Sequence, residues 1–182
     1  MVNIENAKLL VQDVQRHREA FDMNVWIFRD QDLTLEAFSK LGVDSLTFGL
    51  EDIDSANTTC GTTLCLAGFA AMRMGWKQRL GNMIESGEFN WISSMMIAPW
   101  GSSKHPNDVN WEKIGADFLD LPQVEACRLF HYIEDNTTAL EALIQLSEGV
   151  DPKSISLLNG VIELYCDCEY CDCEYDDEED SE

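Results

Sequence analysis

Leu64-Cys65-Leu66-Ala67-Gly68-Phe69-Ala70-Ala71-Met72-Arg73-Met74 is apolar on nearly every side until its single arginine. A helix drawn on these positions has no polar face, and a helix without a polar face belongs in the centre of a core. The preceding Asn57–Thr63 stretch (NTTCGTT) is rich in capping residues. Thr62 or Thr63 therefore reads as the cap, which puts Cys65 in the first turn. Gly75 ends the helix, and Arg73 and Lys77 suit its negative end. Gly68 inside the helix costs about 1 kcal/mol relative to alanine, so it needs a reason: close approach of another element, or a small ligand against it.

Working outward, Ile4, Ala7, Leu10, Val11 and Val14 share one face of a helix over residues 4–19, with Asn3 as candidate cap. Phe21 to Phe28 breaks that period and reads as extended. Thr34 to Leu41 reads as a short helix stopped by Gly42, and Leu46 to Ile53 as a second short strand or irregular chain. Met83 to Ile97 carries apolar residues without clean periodicity, and Pro99 to Asp108 is a loop. Four short helices follow, with Asp108, Pro122, Asn136 or Thr137, and Asp151-Pro152 at their starts. The fold class expected is mainly α, or α+β with at most a small sheet near the N-terminal third. A helical globular domain fills residues 1–165, and 166–182 form an acidic tail.

Charge narrows the function classes. Twelve lysines and arginines face 34 acids, a net of −22. Between Asp167 and Glu182 there are ten acids and no base, so the body alone keeps 24 acids against 12 bases. Phosphate binding relies on Lys and Arg to release counterions, and this composition repels a polyanion. Direct nucleic-acid binding is thereby disfavoured, and a basic protein surface is the expected partner. No apolar run is long enough to span a membrane, and the N-terminus lacks the layout of a secretion signal. The expected place is the cytoplasm, or the host cytoplasm for a viral protein. Seven cysteines, an odd count, point away from a secreted disulfide framework. Oligomeric state is not written in the composition.

The segment Cys60-Gly61-Thr62-Thr63-Leu64-Cys65-Leu66-Ala67-Gly68-Phe69-Ala70 resembles the CGTxxCxAGxA signature of a loose group of small bacterial and phage-type proteins without an assigned activity. Phe21-Asp22-Met23-Asn24-Val25-Trp26 upstream agrees with it. So do Ile114-Gly115-Ala116-Asp117-Phe118-Leu119-Asp120-Leu121 and Leu129-Phe130 downstream. The resemblance spans roughly residues 20–132, leaves out the tail, and implies a shared fold.

Three places could carry chemistry. Cys60, Gly61, Thr62, Cys65 and Gly68 form a turn where a helix N-terminus would lower a thiol pKa, favouring a redox, ligand or nucleophilic role. The plainer reading of the same residues, and the one preferred, is a tight turn with two small core hydrophobes. Cys166, Cys168, Cys171 and Cys173 lie in a doubled CDCEY pentapeptide whose C-x-C-x-x-C-x-C layout can surround zinc or another soft divalent metal. Its other reading is a solvated low-complexity tail. Trp100, in Pro99-Trp100-Gly101, is the aromatic expected at the surface; with Asp176, Asp177, Glu178, Glu179 and Asp180 it makes the candidate partner contact. His17, on the polar side of the first helix, is expected to be solvated. No paired-carboxylate, HExxH, GxSxG or phosphate-loop pattern appears. The expected function is a non-enzymatic acidic interaction protein, in a phage setting an inhibitor that imitates nucleic-acid charge. A small-ligand or metal-binding protein built on the cysteines is the alternative.

Overall fold

The computed structural model describes residues 2–24, 27–29, 38, 40, 45–53, 62–84 and 90–159. Helix α1 (Ile4–Arg16) starts where the Asn3 side chain accepts the Asn6 N–H at 3.1 Å, and buries Ala7, Leu10, Asp13 and Val14. It is pinned at its start, since Asn3 N–H donates to the Leu119 carbonyl at 2.7 Å and Asn6 Nδ2 to the Phe118 carbonyl at 2.7 Å. A 3₁₀ turn (Arg18–Ala20) leads out of it.

Strand β1 (Ile27–Arg29) pairs antiparallel with β3 (Thr62–Leu64). Strand β3 runs directly into α2 (Leu66–Arg73), in which every residue from Leu66 to Met72 is buried, as a helix without a polar face requires. Gly75, at φ +86°, turns the chain out of the helix, and Trp76 N–H reaches back to the Ala71 carbonyl at 3.0 Å.

The larger sheet has the order β2 (Ser45–Phe48), β4 (Lys77–Ile84), β5 (Asn90–Ile97), β6 (Ser103–Lys104), all antiparallel. Its backbone is the β4–β5 hairpin, in register from Lys77 opposite Ile97 to Ile84 opposite Asn90. Burial alternates with the pleat: Gln78 and Leu80 point inward with Phe48 and Met96, while Lys77, Arg79, Thr47 and Ser45 line an open face. The sheet thus occupies the middle of the chain, residues 45–104, and exceeds the small N-terminal one that periodicity suggested. The stretch from Met83 to Ile97, unassigned from its pattern, supplies one of its two long strands.

Helices α3 (Trp111–Leu119), α4 (Gln123–Cys127), α5 (Asn136–Ser147) and α6 (Ser156–Asn159) complete an α+β fold, with a π-helical turn, Arg128–Tyr132, between α4 and α5. Two caps sit one or two residues from their expected places. Asn110, rather than Asp108, caps α3 through Lys113 N–H at 2.8 Å, and Asp135 caps α5 through Thr138 N–H at 2.7 Å. Asn136 serves a longer-range purpose: its side chain accepts from Met23 N–H at 2.7 Å and donates to the Phe21 carbonyl at 3.1 Å. One core joins α1, α2, α3, α5 and the inner sheet residue Met96. The helix expected over Thr34–Leu41 lies outside the described residues except for Phe38 and Lys40, both helical. The boundary at 165/166 lies outside them altogether.

Candidate functional site: a buried thiol, an exposed tryptophan and an anionic face

Cys65 is the residue between β3 and α2, and it is fully buried. Its Sγ, in place of a threonine hydroxyl, accepts the Gly68 N–H at 3.4 Å and caps α2. Thr62 is a strand residue, so the expected threonine cap is replaced by a sulfur one. Burial pushes the Cys65 thiol up to about 12, ahead of the backbone donors of Gly68 and Ala67, which pull it down, and the charge of Asp22, which adds to the rise. The lowering expected from the helix end is reversed, because removing a thiolate from water outweighs the N–H groups that would steady it. A protonated, secluded thiol is a poor nucleophile and a poor metal ligand. Cys127, the other described cysteine, is also buried, and neither of the two is in a disulfide. Among the described residues, no three His, Cys, Asp or Glu side chains are grouped to hold a metal ion. Cys60 and Gly61, the four tail cysteines and the tail acids from Asp176 to Asp180 lie outside those residues.

Gly68 is buried within α2 with its N–H committed to Cys65. His17 is buried too, stacked on Phe69 with ring centroids 6.2 Å apart, and is not the solvated residue its helical position suggested. It belongs to the residues after α1, where the chain turns inward and the helical wheel no longer applies.

Trp100 is 70% exposed. It sits on the turn joining β5 to β6, where Gly101 N–H donates to the Ala98 carbonyl at 2.9 Å and Ala98 N–H to the Ser102 carbonyl at 2.8 Å. Pro99 presets the second turn position, and Gly101 adopts φ +90° at the fourth. The indole meets buried Trp76 edge-on, centroids 5.4 Å apart at 81°. A large aromatic is thus held to one side by its neighbour while most of its surface faces water.

The stretch from residue 105 to 152 is strongly acidic. From residue 105 to 152 ten acids meet two cations, Lys113 and Arg128. Eight of those acids are exposed: Asp108, Asp117, Asp120, Glu134, Asp135, Glu141, Glu148 and Asp151. Asp135 is held below the usual carboxylate range by the Thr138 N–H and hydroxyl, so it stays ionised. Sequence reasoning missed the half-buried pair in which Arg73 donates two hydrogen bonds to the buried Asp13, each 2.5 Å. Its signal was an aspartate at position 13, inside the apolar stripe between Leu10 and Val14. Arg73, expected to serve the dipole of its own helix, is spent on α1. Compared with protein-family models, with curated proteins and with solved structures, the chain matches none.

Proposed function

We propose that this protein is a non-enzymatic interaction protein whose anionic helical face engages a basic protein surface. In a phage setting it would act as an inhibitor that offers a partner the charge of nucleic acid. The observation that carries this reading is the eight exposed carboxylates between residues 105 and 152, against only two cations there, in a chain of net charge −22. Such a density exceeds what solubility needs and steers a cationic partner at long range. Trp100 adds an aromatic anchor of the kind that concentrates binding energy at the centre of an interface. The burial and high pKa of Cys65 weigh against a thiol enzyme.

The full chain, immobilised, should retain a basic host protein at about 0.1 M salt and release it near 1 M, where the screening length shrinks from roughly 10 Å to roughly 3 Å. Duplex DNA should compete for the same protein. Replacing Asp117, Asp120, Glu141 and Glu148 together by lysine should abolish retention. A partner held equally at both salt concentrations, or by the reversed variant, would overturn recognition by charge.

A further inference from the structure

The geometry points to a binding site for a small organic monocation, an ammonium on a hydrocarbon body, in the cleft between the start of α1, the start of α4 and the turn after α5. The cleft measures about 330 Å³, and its walls are mostly apolar, with Val2, Ile4, Pro122, Val150 and Pro152 the main ones. Gly149 keeps it open on one side: it turns at φ +84°, and a Cβ there would stand 3.2 Å from the tip of Ile4. One acid on the wall is buried. Glu125, from α4, is 4% exposed, and no hydrogen bond or ion pair reaches its carboxylate among the described residues. The other acid, Asp151, is exposed and already bonds the Lys153 N–H at 3.0 Å.

A carboxylate with little water around it on a mostly apolar wall is stabilised by a cation that pairs with it. An apolar cleft with one convergent polar group is the usual form of a small-molecule site. Here the polar group is an acceptor only, which selects a donor cation, and the walls select an apolar body behind it. Lys153 at the rim adds a positive charge that disfavours a second ammonium, so the ligand carries one.

The test uses the full chain and phenethylammonium chloride, with phenethyl alcohol as its neutral counterpart, titrated by calorimetry at about 0.15 M salt to suppress loose attraction to the anionic surface. One saturable site is expected, with the ammonium bound about tenfold or more tighter than the alcohol, the size of one charge-assisted hydrogen bond. Methyl resonances of Val2, Ile4 and Val150 should shift on binding. Glu125→Gln, which keeps the side-chain shape, should erase the preference for the ammonium while leaving the alcohol unchanged. Charge reversal of Asp117, Asp120, Glu141 and Glu148 should leave it intact, which separates this site from the partner surface. Equal binding of ammonium and alcohol, no saturable site, or shifts confined to acidic residues elsewhere would overturn the proposal; the first comparison needs no variant.

Discussion

Asp13 and Arg73 show how one buried charge organises its surroundings. The carboxylate is almost wholly enclosed, whereas Arg73 keeps about a third of its side chain exposed. The doubled hydrogen bond raises the arginine pKa, so the guanidinium stays charged. Removing the aspartate leaves a guanidinium that can still find water, but removing the arginine strands a buried carboxylate. Arg73→Ala should therefore cost about 3 kcal/mol or more in urea unfolding, and Asp13→Ala less. Equal losses would mean that burial of the carboxylate does not set the energy. Cys65 yields a second outcome with its sign fixed. Its pKa rises from the ordinary 9.0 to about 12, so the folded state holds this proton where the unfolded chain releases it. Its contribution is complete below pH 9 and is lost as pH climbs from about 9 to about 12. Thermal unfolding of wild type should fall more steeply over that window than that of Cys65→Ala. The same thiol should resist alkylation at neutral pH until the chain is unfolded. Burial of Cys65 could be read from its all-apolar helix. The direction of its titration could not, because the helix end and desolvation oppose each other and only the packed structure fixes the balance.

At the level of elements, helices were far more legible than strands. α1 follows from periodicity and α2 from its unbroken apolar run, and caps and glycines mark most remaining ends, because these signals act within a few residues. The β4–β5 hairpin was hidden. Gln78, Gly81, Asn82, Ser93 and Ser94 are poor strand formers, and the pairing that makes them strands comes from across the hairpin. The cleft beside Glu125 was equally invisible, because its walls come from three segments far apart in sequence. Trp100, by contrast, was legible from Pro99 and Gly101 alone. Close packing gives a further prediction. A Cβ on Gly115 of α3 would clash with the edge of the Phe130 ring, so this glycine sets how near α3 and the π-helical turn can come. Gly115→Ala should destabilise by about 1–3 kcal/mol in chemical unfolding, despite the better helix propensity of alanine. A gain in stability would show that the ring moves aside freely.

Over the whole molecule, stability and recognition draw on different residues. The core is continuous from α1 to the inner sheet residue Met96, whereas the carboxylates and Trp100 sit outside it. Trp100→Ala should change stability by about 0.5 kcal/mol or less, as an exposed substitution does, yet weaken a partner complex tenfold or more. A loss of fold stability matching the loss of binding would assign Trp100 to Trp76 and not to a partner.

The open face of the sheet has one more consequence. The strands of the larger sheet carry three cations, Lys77, Arg79 and Lys104, and no acid, although Lys77 reaches Glu51 just after β2 at 3.8 Å, while residues 105–152 carry ten acids. Cations on the strands and acids on the later helices grade the charge along the described chain, so a cationic body is drawn toward residues 105–152 before any atoms meet.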